Sequence, residues 1–214
     1  MVYRVLIVDD HPVVRRGLRA LIADEPGLEV CGEAGDVSEA LEQLDATHPD
    51  LAVVDLSLTN SHGMELLEKI KTRKKSVKTL VSSMHDELLF AERVLRCGAS
   101  GYINKQESSE NIIKAIREVL RGELYVSDSV TDLLLRRLNT GQSLYDDPIK
   151  SLTNRELEVF ELIGQGLSMK QIAKRLDLSQ KTVEAHRERI KGKLNLRNSL
   201  EVARHAMQWT LEGN

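Results

Sequence analysis

Leu51-Ala52-Val53-Val54-Asp55-Leu56, entered through His48-Pro49-Asp50, is the stretch on which the reading of the fold turns. An unbroken apolar run of this length, bounded by turn residues, predicts a strand buried on both faces, as in a parallel sheet. It carries one carboxylate, Asp55, to its carboxyl end. An earlier run of the same kind, Tyr3-Arg4-Val5-Leu6-Ile7-Val8, closes on two more acids, Asp9 and Asp10. If the two strands lie side by side and parallel, three carboxylates meet in a shallow pocket at the rim of the sheet. Close like charges raise each other's pKa, so such a cluster calls for a cation. A hard divalent ion with oxygen ligands meets that need.

Outward from this strand, short apolar runs alternate with amphipathic stretches. Val14, Leu18, Leu21 and Ile22 fall at helical spacing after the first strand, and Glu29-Val30-Cys31-Gly32-Glu33-Ala34 reads as a second strand. Asp36-Val37-Ser38-Glu39 has the form of a capping box and opens a helix through Asp45. Beyond Asp55 a loop ends at Gly63, before a helix carrying Leu66, Leu67 and Ile70. Lys78-Thr79-Leu80-Val81-Ser82-Ser83 is the fourth strand, Glu87 to Arg96 its helix, and Gly101-Tyr102-Ile103 a short fifth strand. The next helix shows Ile112, Ile113, Ile116, Val119 and Leu120 on one face. Strict alternation of this kind predicts an α/β doubly wound, five-stranded parallel sheet over residues 1–121, with ligands at the carboxyl ends of its strands.

Charge divides the chain. Residues 1–150 carry 19 Lys and Arg against 25 Asp and Glu, whereas residues 151–214 carry 11 against 8. Two domains with different partners follow, the second suited to a polyanion. Residues 122–150 form a partly helical linker, with Val130, Leu133, Leu134, Leu135 and Leu138 on one short helix. Asn139-Thr140-Gly141-Gln142-Ser143 supplies turn chemistry after it, and Asp146-Asp147-Pro148 ends the linker. Cys31 and Cys97, in a chain without a signal peptide or transmembrane run, point to a cytoplasmic protein with no membrane partner, its two thiols small buried hydrophobes.

Residues 151–214 read as an all-α helix-turn-helix domain. Thr153 and Glu156 form a capping box before Leu157, Phe160, Leu162 and Ile163, and Gly164-Gln165-Gly166 stops that helix. A second helix runs from Met169 to Leu176 with Ile172 and Ala173 inward, Asp177-Leu178 makes a turn, and Ser179 caps a long helix through Leu194. Its apolar face is Val183, His186, Ile190 and Leu194. In this arrangement the helix after the turn enters the major groove of double-stranded DNA. Lys181, Thr182, Arg187, Lys191 and the amino terminus at Ser179, with Lys170 nearby, are the expected phosphate contacts. The last helix, Leu200 to Trp209, is expected to pack a second copy through Leu200, Ala203, Ala206 and Met207, because paired half-sites favour two-fold dimers.

Two blocks of residues carry a resemblance. Asp9-Asp10-His11-Pro12, Asp55, Ser83-Met84-His85 and Gly98-Ala99-Ser100-Gly101-Tyr102-Ile103-Asn104-Lys105 resemble the receiver domain of bacterial two-component response regulators. Leu152-Thr153-Asn154-Arg155-Glu156-Leu157-Glu158-Val159, Lys170-Gln171-Ile172-Ala173, Ser179-Gln180-Lys181-Thr182-Val183 and His186 resemble the DNA-binding domain of the NarL/FixJ, LuxR-type class. The resemblance implies that Asp55 accepts a phosphoryl group from a sensor histidine kinase. It implies that Asp9, Asp10, Asp55 and the backbone carbonyl of Ser57 hold Mg²⁺, and that Lys105 and Ser83 contact the phosphoryl group. Tyr102 stands where the family has an aromatic switch residue, and Glu184, Ala185 and Glu188 where relatives contact bases. Glu184 and Glu188 equally suit ion pairing along their own helix, with Arg187 among the partners. Thr59 stands where the family often has proline, which frees that loop, and His85 at a position that tunes hydrolysis in relatives. The expected function is a transcription factor switched by phosphorylation, with no outside substrate. Two alternatives remain open at this level: a phosphorylation-independent dimeric regulator with a vestigial receiver, and a magnesium-dependent phosphohydrolase.

Overall fold

The computed structural model describes residues 2–58, 61–73, 76–140 and 148–211. Thr59, the turn Gly141-Gln142-Ser143 and the acidic Asp146-Asp147 lie outside them. The chain divides by packing into two units, Met1–Arg136 and Arg137–Asn214. That division falls inside the stretch read from sequence as linker.

The first unit is built on β1 (Tyr3–Val8), β2 (Leu28–Ala34), β3 (Leu51–Val54), β4 (Lys78–Ser83) and β5 (Gly101–Asn104), in spatial order β2-β1-β3-β4-β5. All neighbouring pairs are parallel. Around them lie α1 (Pro12–Ala23), α2 (Val37–Thr47), α3 (Gly63–Arg73), α4 (Glu87–Arg96) and α5 (Ser109–Arg121). Every residue of β3 is buried, as its unbroken apolar run requires of a central strand covered on both faces. Ile7 and Val53 from the sheet pack with Ile22 and with Ile116 and Val119 in one core.

Register places the acids. Val8 pairs with Val54, so the next residues, Asp9 and Asp55, leave the sheet side by side. The Asp55 N–H still donates to the Val8 carbonyl at 2.8 Å, and the Asp9 N–H to Ala34 at 3.0 Å. On the other side Ser83 pairs with Asn104, and the Lys105 N–H donates to the Ser83 carbonyl at 2.9 Å.

Several local expectations change. The Asp36 side chain caps α2 by accepting from the Glu39 N–H, but the Glu39 carboxylate returns to the Gly35 N–H instead of closing the box on Asp36. The helix runs to Thr47, past Asp45, and ends where His48 takes a left-handed φ of 45°. Between Asp55 and α3 the backbone forms a two-residue antiparallel ladder, Ser57–Leu58 with Ser61–His62. Gly63 begins α3, and a side chain there would bring its Cβ within 2.2 Å of the Asp55 carbonyl oxygen. Only glycine permits so close an approach.

After α5 the chain does not leave the sheet. Gly122 caps the helix at φ 90°, and Tyr125 makes a parallel bridge to Gly101 on the outer edge of β5. The Tyr102 N–H donates to the Tyr125 carbonyl at 2.8 Å and the Tyr125 N–H to Ser100 at 3.2 Å. An edge strand presents unpaired backbone groups, and this short extended segment satisfies two of them. Then α6 (Asp128–Thr140) begins, with Val130 buried and Leu135 exposed; it runs through Asn139 and Thr140, which the sequence assigned to the following turn.

The second unit holds a 3₁₀ turn at Pro148–Ser151 and four helices, α7 (Asn154–Gly164), α8 (Met169–Arg175), α9 (Gln180–Lys193) and α10 (Ser199–Leu211). The capping box of Thr153 and Glu156 is present in both directions. α7 is buried from Glu156 to Ile163, so its acids need partners: Glu158 takes Arg155 at 2.8 Å and Glu156 takes Lys193 at 2.6 Å. Between α8 and α9, Asp177 adopts φ 50° and Leu178 donates back to Ala173 at 2.8 Å, which turns the chain within a few residues. Val183 and Ile190 anchor α9 inside, and Phe160 packs on Trp209 at 5.4 Å.

Candidate functional site

Three strand ends converge at the rim of the sheet. Asp9 and Asp55 are 2% and 3% exposed, too buried to stay ionised without a counter-charge. That charge comes from β5: the Lys105 ammonium lies 2.6 Å from Asp9 Oδ2 and 2.6 Å from Asp55 Oδ2. Burial raises the pKa of the Asp55 carboxyl, and Lys105 restrains the rise. Burial works against the Lys105 ammonium, but the charge and hydrogen bonds of Asp55 and Asp9 outweigh it and push its pKa up. At neutral pH the lysine is therefore a fixed cation.

Asp10 lies nearer solvent, its Oδ1 2.5 Å from His11 Nδ1. His11 occupies the N-cap of α1 without capping it; its backbone N–H donates to Asp9 Oδ1 at 2.8 Å and its ring faces the acids. One donor atom each from Asp9, Asp10, His11 and Asp55 lies within 4.8 Å of the others. Three carboxylates so gathered fit a hard divalent cation. His11 as a member of this group escaped the residue-by-residue reading, although its adjacency to the acidic pair was the available signal. Arg15 fastens α1 to the same rim by donating to the Asp9 carbonyl at 2.6 Å.

Ser57, Ser83 and Tyr102 are brought together on His85. Ser83 is fully buried, and its Oγ accepts from the His85 N–H at 3.2 Å. Ser57 Oγ lies 3.1 Å from His85 Nε2. Tyr102 is 1% exposed, and its hydroxyl donates to the His85 carbonyl at 2.7 Å. The His85 ring stacks on Phe90 at 4.6 Å. The central place of His85 is visible only in three dimensions. Cys31 and Cys97 are half-buried thiols, and burial with the nearby Glu68 pushes the Cys97 thiol up, away from reactivity.

On the second unit, Lys170, Ser179, Lys181, Ala185 and Glu188 are exposed, and Thr182, Glu184, Arg187 and Lys191 are half-buried. Ser179 caps α9 by accepting from the Thr182 N–H at 3.0 Å, and the two hydroxyls lie 2.7 Å apart. Glu188 pairs with Lys191 one turn on. Glu184 accepts from Gln180 at 3.3 Å, while Arg187 Nε has no hydrogen-bond partner among the described residues. His186 is half-buried beside Arg189 and Arg155; burial and these charges lower its pKa, as expected of a packed side chain. Arg155, given no role of its own by the sequence reading, ties α7 to the turn by donating to the Leu176 carbonyl at 2.7 Å.

The expected dimer face needs one correction. Leu200 is 78% and Met207 45% exposed, but Ala206 is fully buried against α7. Gly164 is why: a Cβ there would lie 2.6 Å from the Ala206 carbonyl oxygen, so the two helices touch backbone to backbone. Ala206 therefore belongs to the inner face with Val202 and Trp209.

Residues 5–117 match the family described as response regulator receiver domain, and residues 150–206 that of bacterial regulatory proteins, luxR family. The nitrate/nitrite response regulator protein NarL of Escherichia coli K12 is 32% identical over 199 residues, covering 93% of this chain and 92% of that protein. The oxygen regulatory protein NreC of Staphylococcus carnosus is 37% identical over 210 residues, covering 96% and 97%. The structure of RcsB from Salmonella enterica serovar Typhimurium, bound to promoter rprA in the presence of the phosphomimetic BeF3-, aligns with TM-score 0.64 at 26% identity over 97% of this chain and 99% of that one. No helix among the described residues is long and apolar enough to cross a membrane.

Proposed function

The chain belongs to the response regulators in which a receiver domain is joined to a LuxR-type DNA-binding domain, and from that premise we propose that Asp55 is the phosphoryl acceptor and α9 the DNA-reading helix. The observation that carries the first part is the Lys105 ammonium shared between two buried carboxylates, beside a third. Asp9, Asp10, Asp55 and the Ser57 carbonyl would hold Mg²⁺, which when bound supplies positive charge for the attacking and transferred oxygens.

This chain's own residues do the rest. Asp55, the buried carboxylate at the end of the central strand, attacks phosphorus of a phosphohistidine on a sensor kinase. An O–P bond forms as the N–P bond breaks, and the electron pair leaves with the imidazole. Lys105, already 2.6 Å from Asp55, follows the new charge and donates to a phosphoryl oxygen. The Ser83 hydroxyl accepts from His85 and keeps its own proton to donate. The added charge of the phosphoryl group draws Ser83 and its loop inward, and buried Tyr102 moves with it through His85.

On the DNA side, Lys170, Ser179, Lys181, Thr182, Arg187 and Lys191 meet phosphates, and Glu184, Ala185 and Glu188 face bases. Leu200, Ala203 and Met207 join two copies over paired half-sites. The protein acts in the cytoplasm, residues 1–121 receiving the signal and 151–214 delivering it.

The test is incubation of the full chain with labelled acyl phosphate and Mg²⁺, followed by promoter binding. Stoichiometric label that is lost in Asp55→Asn, together with tighter DNA binding only when labelled, is the expected result. Unchanged DNA binding and dimerisation in Asp55→Asn would favour a constitutive regulator with a vestigial receiver instead.

A further inference from the structure

The stretch after α5 makes two attachments within the first unit, one to β5 and one to the first residue of α4. One is the Tyr125 bridge to β5, where the Tyr102 N–H donates to the Tyr125 carbonyl at 2.8 Å. Tyr102 is the residue whose hydroxyl holds the His85 carbonyl. The other is the Ser127 hydroxyl, which donates to Glu87 Oε1 at 2.7 Å. Glu87 opens α4 two residues past His85, behind the Asp86 cap. Ser127 also starts α6: its Oγ accepts from the Val130 N–H at 3.2 Å, and its carbonyl accepts from the Thr131 N–H at 3.0 Å.

The space is made for it. A Cβ on Gly101 would lie 2.9 Å from the Tyr125 carbonyl oxygen and 3.1 Å from the Tyr125 Cβ, so glycine at the first residue of β5 is what lets this backbone approach. Tyr125 packs on the sheet core and Val130 is 1% exposed, so the attachment buries apolar surface as well as pairing polar groups.

We propose that Tyr125–Val130 is a docked reporter segment, clamped to β5 and α4 when the Ser83–His85 loop is in its inward arrangement, so that occupation of Asp55 is conveyed to the first turn of α6. The inference rests on Asp55 being the acceptor and adds the route by which its state leaves the site. The route runs by hydrogen bonds from Ser57 and Ser83 to His85, from His85 to Tyr102 and from Tyr102 to Tyr125, and along the backbone from His85 to Glu87 and so to Ser127. A two-state loop biased by a charge at one end and read by a docked segment at the other has the parts a switch requires.

Amide hydrogen exchange of the full chain, with and without Mg²⁺ and beryllofluoride as the phosphoryl analogue, tests it. The analogue should slow exchange at residues 83–86 and, several-fold, at Tyr125 and residues 128–131. Glu87→Ala, which leaves the Ser127 cap of α6 in place, and Ser127→Ala should each speed exchange at Tyr125 and weaken analogue binding by the factor by which the analogue loses its protection, since coupling is reciprocal. Slowing at 83–86 with no change or faster exchange at 125–131 overturns the relay and leaves Asp55 as acceptor. So do variants that loosen the segment without changing analogue affinity, because the contact is then only structural. No change at 83–86 either overturns the acceptor assignment itself.

Discussion

Lys105 is the residue on which the rim depends. Its ammonium is the counter-charge to both Asp9 and Asp55, and its own side chain is only 12% exposed. Removing one partner of a buried ion pair strands the other. Lys105→Met is therefore expected to lower the unfolding free energy of the metal-free protein by about 3 kcal/mol, read by urea denaturation followed by far-UV circular dichroism. Added Mg²⁺ should recover part of the loss, because an ion that binds only the folded rim stabilises it. In the second unit Glu156 gives a pH dependence. Burial pushes its carboxyl up, but the Lys193 ammonium and the Thr153 cap outweigh it, so its pKa is lowered on folding. A carboxyl held below its unfolded value contributes stability that is complete above the unfolded pKa of about 4.3 and is lost as pH falls through the folded one. Glu156→Gln should cost about 1 kcal/mol at pH 7 and progressively less below about pH 4. Trp209, the sole tryptophan of the chain and packed on Phe160, reports that unfolding by its fluorescence.

At the scale of elements, close backbone contacts set the geometry of the site. Gly63 turns the chain from the Asp55 loop into α3 with no room for a side chain, the nearest obstacle being the Asp55 carbonyl oxygen itself. Backbone cannot rotate away as a side chain can. Gly63→Ala should destabilise the first unit by about 2 kcal/mol, in the range of overpacking, and slow labelling of an intact Asp55. Label uptake unaffected by this substitution would show that the acceptor loop tolerates the shift. The same logic fixes α7 on α10 at Gly164, and it removes Ala206 from any contact with a second copy.

For the whole molecule, Leu200 and Met207 remain as exposed apolar side chains on α10, away from the Val202, Ala206 and Trp209 face. Leu200→Asp with Met207→Asp should leave Trp209-reported stability within about 0.5 kcal/mol, as surface substitutions usually do. It should abolish the preference for two half-sites over one in gel-shift titrations, whereas Ala206→Asp should unfold the second unit. Much of this protein was legible in its sequence. The apolar run ending at Asp55, its counterpart ending at Asp9 and Asp10, and the strict alternation around them determined the sheet, because a strand covered on both faces must be apolar throughout and must discharge its polar residues at its end. The capping box at Thr153 likewise determined where α7 begins, because caps are local. Tertiary structure alone decided the rest. That Lys105 spans two acids, that His85 gathers Ser57 and Tyr102, and that Tyr125 closes the β5 edge are contacts between residues far apart in the chain. Periodicity fixes which face a side chain occupies but not which distant backbone will come to meet it, and that was settled by strand register and by the close approaches that glycine allows.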